Sequence, residues 1–203
     1  MAELFAILSG ATMLLAGPPY LISILRHKTK PERTSWFIWT VLGLIAFESQ
    51  IGLHARWSLL YAAANAAGNL LVFLLALHFG VGGWKRLDVT ALIIAVASTA
   101  VSFTVDQPLY ALFGVLIANF AGTVPTLYKA YIDPSSESVL AWFLIGTSAL
   151  FGAFSVGSLD ITLLLLPVYM IFATYGVLVA QALGVWLRPQ SSKRCRAVAA
   201  AKS

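Results

Sequence analysis

Pro19-Tyr20-Leu21-Ile22-Ser23-Ile24-Leu25-Arg26-His27-Lys28 opens a pattern that closes, after a short polar turn, on Trp36-Phe37. The pattern returns at Pro125 as an apolar run, a lysine, the turn Asp133-Pro134-Ser135-Ser136-Glu137 and then Trp142-Phe143. Prolines and Trp-Phe pairs each recur after 106 residues, from 19 to 125 and from 36 to 142. Leu21 with Leu127, Leu59 and Leu60 with Leu165 and Leu166, and Ala67 with Ala173 keep the same offset. Leu and Ala coincide easily in so apolar a chain, whereas a proline and a Trp-Phe pair held in register do not. The pattern is that of an internal duplication, which decides the architecture before single helices are assigned.

Composition names the solvent. Of 203 residues, 60% are hydrophobic and 10% charged, with a mean hydropathy of +0.86, where a soluble domain is about a quarter charged. An integral membrane protein is expected. The net charge of +5 does not point to nucleic acid, because the basic residues fall in short connections between apolar runs. A single cysteine, Cys195, excludes an internal disulfide and any multi-cysteine metal site. The N-terminus carries Glu3 where a signal peptide would be basic and belongs to the first repeat, so it is expected to remain as a helix.

A membrane span needs about twenty apolar residues. Seven stretches supply them: Leu4 to Leu25, Ser35 to His54, Trp57 to Phe79, Leu87 to Val105, Leu109 to Tyr131, Val139 to Val156 and Ile161 to Trp186. Predicted helices 1 to 3 correspond to helices 5 to 7, and helix 4 stands unmatched between them. The basic residues then divide unevenly. Arg26, Lys28, Lys30 and Arg33 follow helix 1, Lys85 and Arg86 follow helix 3, Lys129 ends helix 5, and five more follow helix 7. Only Arg56 lies on the other side. The positive-inside rule puts the N-terminus outside and the C-terminus in the cytoplasm, with the plasma (inner) membrane as the expected location. Helices 1 and 5 run in the same direction, so the repeats are parallel, as in one transporter architecture with its site at the repeat interface. The expected fold is all-α, with two parallel triple-helix bundles, residues 1–82 and 108–187, joined by a linker helix within 83–107. A basic tail, 188–203, is expected to be disordered.

The three-plus-one-plus-three layout, the outside N-terminus and the prolines Pro19 and Pro125 near the cytoplasmic end of each triplet's first helix resemble the PQ-loop superfamily. Within it they resemble the SWEET sugar transporters, over about helices 1 to 7. The chain carries Tyr20 and Thr126 where the family's name-giving glutamine follows proline. The resemblance implies a carrier for sugars, amino acids or other small solutes, or a non-transporting receptor. It also implies a solute-facing Asn in helix 3, which Asn65 fits, with Tyr169 and Thr174 near the matching place in helix 7. Where the family has a mid-helix Trp, Phe47 is the nearest aromatic in helix 2.

Each residue also has a plainer reading. Pro19 and Pro125 remove a backbone donor and clash with the preceding turn; they are hinges for a cytoplasmic gate or static kinks, with Gly17 and Gly122 easing the bend. Asn65, Asn69 and Asn119 lie within spans, where an amide must meet another helix or a wet cavity. Asn65 is about 12 Å from the outer end of helix 3, and Asn69, four residues on, shares its face. Solute binding and helix–helix bonding both fit them. Glu48 is either a site for proton coupling or a carboxylate in the outer headgroup region. Trp36, Trp39 and Trp142, at the start of helices 2 and 6, read first as interface anchors and second as gate packing.

Absences narrow the class. Predicted helix 7 has no lysine for a retinal Schiff base, no nucleotide loop or Ser-His-Asp order can be assembled, and His27, His54 and His78 fall at helix ends on both sides. An enzyme is not expected, nor any cofactor or metal. The expectation is a transporter of a small polar solute, sugar-like first, working by alternating access and facilitated diffusion. The rivals are a receptor or membrane organiser without transport, and an amino-acid or proton-coupled carrier. The expected partners are the solute and the lipid bilayer, with a homo-oligomer left open.

Overall fold

The computed structural model describes the backbone of residues 1–52, 57–105 and 108–200, with side chains over 1–48, 63–105, 110, 112–161 and 163–187. Seven helices make up nearly all of it: α1 (Ala2–Leu25), α2 (Arg33–Gly52), α3 (Trp57–Phe79), α4 (Arg86–Ser102), α5 (Pro108–Ile132), α6 (Val139–Ser155) and α7 (Ile161–Ala200). A 3-10 turn, Pro134–Ser136, separates α5 from α6. The fold is all-α; one isolated bridge, Glu32 with Val81, is the only β pairing among the described residues.

Helix ends follow local chemistry. Glu32 caps α2, its Oε2 accepting from the Ser35 amide at 2.7 Å and the Ser35 hydroxyl at 3.0 Å. At α4 the third residue, Asp88, reaches back instead, taking the amides of Gly83 at 2.7 Å and Lys85 at 3.0 Å ahead of the helix. Positions 53 and 54, the predicted end of helix 2, lie outside the described residues. The predicted break after Trp186 is absent: α7 runs on to Ala200 through the stretch expected to be disordered. Ala, Gln, Lys and Arg, which dominate it, are strong helix formers, and that propensity outweighs the loss of apolar character.

The helix pairings come in matched sets. Extensive contacts join α1 to α6 and α2 to α5, α3 packs on α2 and to a lesser extent on α1, and α7 packs on α6 and α5. Exchanging α1 with α5, α2 with α6 and α3 with α7 maps this set onto itself. The unmatched helix, α4, packs on α5 and touches α2. Small residues allow the close approaches. A Cβ at Gly122 would sit 3.0 Å from Ile38 Cγ2 and 3.2 Å from Trp39 Nε1, so this glycine lets α2 reach α5. Gly17 has no such neighbour.

The outward faces are apolar, with Leu14, Ile93, Val96, Phe120 and Phe172 all exposed. Two stretches, Ala2–Leu25 and Leu163–Leu187, are by length and composition long and apolar enough to cross a membrane, and little of the most apolar part of each is buried within the molecule. Ala63–Phe79 and Val139–Ser155 are shorter apolar stretches.

Candidate functional site

Between the helices lies a cavity of about 460 Å³, mostly apolar, to which every helix but α4 contributes. Its wall contains repeat counterparts at the 106-residue offset: Trp36 with Trp142, Trp39 with Ile145, and Met13 with Asn119. Seven residues singled out from the sequence meet here: Asn65 and Asn69 from α3, Asn119 from α5, Thr174 from α7, and the tryptophans Trp36, Trp39 and Trp142. The volume falls within the range of small-molecule sites, roughly 300–1,000 Å³.

Hydrogen bonding decides which polar atoms remain available. Asn69 Nδ2 donates to the Trp39 carbonyl at 3.1 Å and to Asn65 Oδ1 at 2.8 Å. That leaves Asn65 Nδ2 and Asn69 Oδ1 without a partner among the described residues. Tyr169 does not line the cavity; its hydroxyl donates to Asn119 Oδ1 at 3.2 Å and lies 3.1 Å from the Thr123 hydroxyl, holding the Asn119 amide in place. The Thr174 hydroxyl donates back to the Met170 carbonyl at 2.6 Å, so only its lone pairs can serve a ligand. Among the described residues, no ionisable side chain lines the cavity. A charged solute would lose its hydration there with no counter-charge in return, whereas an uncharged one with hydrogen-bonding edges would not.

Phe47 and Glu48 stand apart from this arrangement. On α2 the lining residues centre on Trp39 and Ala46, and Phe47 is one helical step, about 100°, round from Ala46. Glu48 is exposed on the same helix. The aromatic wall comes instead from Trp36, Trp39 and Trp142. Trp36 and Trp142 are 7% and 4% exposed, which corrects their reading as interface anchors: an anchor must reach the headgroups, and these are covered on all sides. Their rings pack into a cluster with Tyr20, at centroid distances of 5.3 Å for Tyr20–Trp36, 5.1 Å for Trp36–Trp39 and 6.1 Å for Trp39–Trp142. Pro19 lies within α1 and Pro125, fully buried, within α5.

Beyond the tryptophans, at the end that carries the α1–α2 and α5–α6 connections, lies a buried polar network. Glu137 receives the Lys129 ammonium at Oε1, and at Oε2 the Tyr20 hydroxyl at 3.1 Å and the Trp142 indole at 2.9 Å. Lys129 also donates to the Lys30 carbonyl. Gln181 Nε2 holds the 3-10 turn to α7 through the carbonyls of Pro134 at 2.8 Å and Glu137 at 3.1 Å. Arg33 folds back onto α3, donating to the carbonyls of Ala76 at 3.0 Å and Gly82 at 3.1 Å. Arg33 and Lys129 are thus more than loop charges that orient the chain. Sequence reading missed the roles of Glu137 and Tyr20, although a Tyr directly after the repeat's proline was a visible signal; Trp39 was named with Trp36 and Trp142.

Comparison with known protein families, characterised proteins and solved structures finds no match to this chain.

Proposed function

We propose that this chain is a membrane carrier in which seven spanning helices, resembling the SWEET layout, move a small uncharged polar solute through the central cavity by alternating access. The N-terminus faces outside and the basic connections face the cytoplasm. The observation that carries this reading is the cavity itself. It lies where the repeats meet, gathers Asn65, Asn69 and Asn119 in a mostly apolar wall, and has no ionisable side chain in its lining among the described residues. Half-buried amides, with a donor on Asn65 and an acceptor on Asn69 unused among the described residues, suit the hydroxyl and carbonyl groups of such a solute. Facilitated diffusion is the transport mode proposed, since no ionisable side chain among the described residues lines the cavity itself.

The test begins with a thermal-shift screen of the purified protein against sugars, polyols, amino acids and small acids. Asn65→Ala then removes one partner from any solute that binds. Losing a buried hydrogen-bonding partner costs about 1–3 kcal/mol, roughly a five- to hundredfold loss of affinity. That loss should occur while the unfolding temperature of the empty protein stays near the parent's. A lower unfolding temperature with affinity intact would make Asn65 a helix-bonding residue and remove it from the site.

A further inference from the structure

We propose that Glu137 is the catch of a gate closing the loop end of the cavity, released when Tyr20 leaves it; this rests on the carrier reading. The cluster of Tyr20, Trp36, Trp39 and Trp142 separates the cavity from the buried polar network. Tyr20 bridges the two layers, its ring edge-on to Trp142 at 6.4 Å and its hydroxyl on Glu137.

The bonds at this end run between the repeats, and they are reciprocal. Tyr20 and Thr126, each directly after a repeat's proline, occupy equivalent positions at 20 and 126. Tyr20, in the first repeat, donates to Glu137 in the second; Thr126, in the second, donates to Ser35 Oγ in the first at 2.8 Å. The Lys30 amide donates to the Ser136 carbonyl at 2.9 Å, tying the two connections together. Separating the repeats here must break these bonds.

Glu137 is built for that separation. A buried carboxylate stripped of its partner is strongly unfavourable. Lys129, Trp142 and Gln181 all belong to the second repeat with Glu137, and all stay with it if the repeats part. What crosses the boundary is the neutral Tyr20 hydroxyl, together with Lys129's bond to the Lys30 carbonyl. The ion pair therefore stays intact in both states, and the gate opens without exposing an unpaired charge to the protein interior. Gln181 ties the turn that carries Glu137 to α7, another helix of the second repeat.

The test reads the gate directly and needs no solute. In a background with Cys195→Ser, Ile145→Cys places a thiol in the cavity wall, and Lys28→Cys, on the exposed α1–α2 connection, marks the loop face. A membrane-impermeant thiol reagent is applied to sealed vesicles of each orientation. Tyr20→Phe deletes only the crossing donor; Glu137→Gln weakens the catch itself. With Tyr20→Phe, labelling of position 145 from the loop face should rise about tenfold, as loss of one hydrogen bond to a charged group implies, and fall from the opposite face. Unchanged rates, or a rise from both faces, would overturn the catch. If Glu137→Gln does not fold, Tyr20→Phe still decides, because its ion pair is untouched. A failed solute screen would leave this result standing, and a failed labelling test would leave the solute reading standing.

Discussion

Ser9 and Ser148 exchange hydrogen bonds between α1 and α6: the Ser9 hydroxyl donates to the Ser148 carbonyl at 2.9 Å, and the Ser148 hydroxyl donates to the Ser9 carbonyl at 2.8 Å. This is a clasp within the most extensive helix contact of the fold, far from the loop-end network. Bonds of this kind between helices in an apolar setting contribute about 0.6 kcal/mol on average and up to roughly 1.7. Ser9→Ala and Ser148→Ala should each lower stability within that range. The double variant should fall short of the sum, because each hydroxyl also lies 3.3 Å from the other. Unfolding in mixed micelles with a double-mutant cycle measures it, and strict additivity would show the two hydroxyls to be independent.

Glu32 makes the loop end sensitive to pH. Burial pushes its carboxyl above the usual carboxylate range, the bonds from Ser35 pull it back, and the nearby Asp88 charge adds to the rise. Its Oε1 has no partner among the described residues. A carboxyl raised on folding contributes stability that is fully present below its unfolded value, about 4.3, and is lost as pH climbs through the raised one. Parent stability relative to Glu32→Gln should therefore decline as pH rises from about 4 through the raised value, and level off above it. Unfolding temperatures of both proteins over that pH series check the sign; a gap that widens in the parent's favour would contradict it.

The basic residues predict sidedness. Ser158, on the exposed α6–α7 connection, and Lys28 should label from opposite faces when each is replaced by cysteine in the Cys195→Ser background. Labelling of both from one face would sink the seven-span arrangement.

Pro19→Ala and Pro125→Ala restore a helix donor and remove a clash. If the prolines let each repeat flex, both variants should slow solute uptake more than they reduce the amount of folded protein. Parental uptake rates in both would leave the prolines as fixed kinks. Pro125 is fully buried, so its alanine variant also opens a small void and should be somewhat less stable.

The helices were legible because an apolar run of about twenty residues bounded by turn chemistry has few other readings. The predicted boundaries of α3 coincide with those observed, Trp57–Phe79. Asn65 and Asn69 were legible as one face for the same reason, four residues being about one turn. Trp36 and Trp142 were harder, since a Trp at a helix start looks the same in sequence whether it meets headgroups or a neighbouring repeat. Glu137 was out of reach. Its partner Tyr20 is 117 residues away, and nothing in the local pattern of either residue names the other. Glu32 and Thr29, 2% and 1% exposed, sit in what reads as a polar solvent-facing turn and is instead packed between connections.

Met13 and Asn119 hold equivalent places in the cavity wall, one in each repeat, yet one is a thioether and the other an amide. Were the protein a dimer of two identical half-length chains, every group beside the axis would appear twice. No side chain could then be adjusted for one end of a solute without altering the other end in the same step. If the 106-residue repeat reflects two copies joined in one polypeptide, that constraint is lifted. Each half then evolves its own contacts, and a duplicated shape comes to hold an unduplicated chemistry.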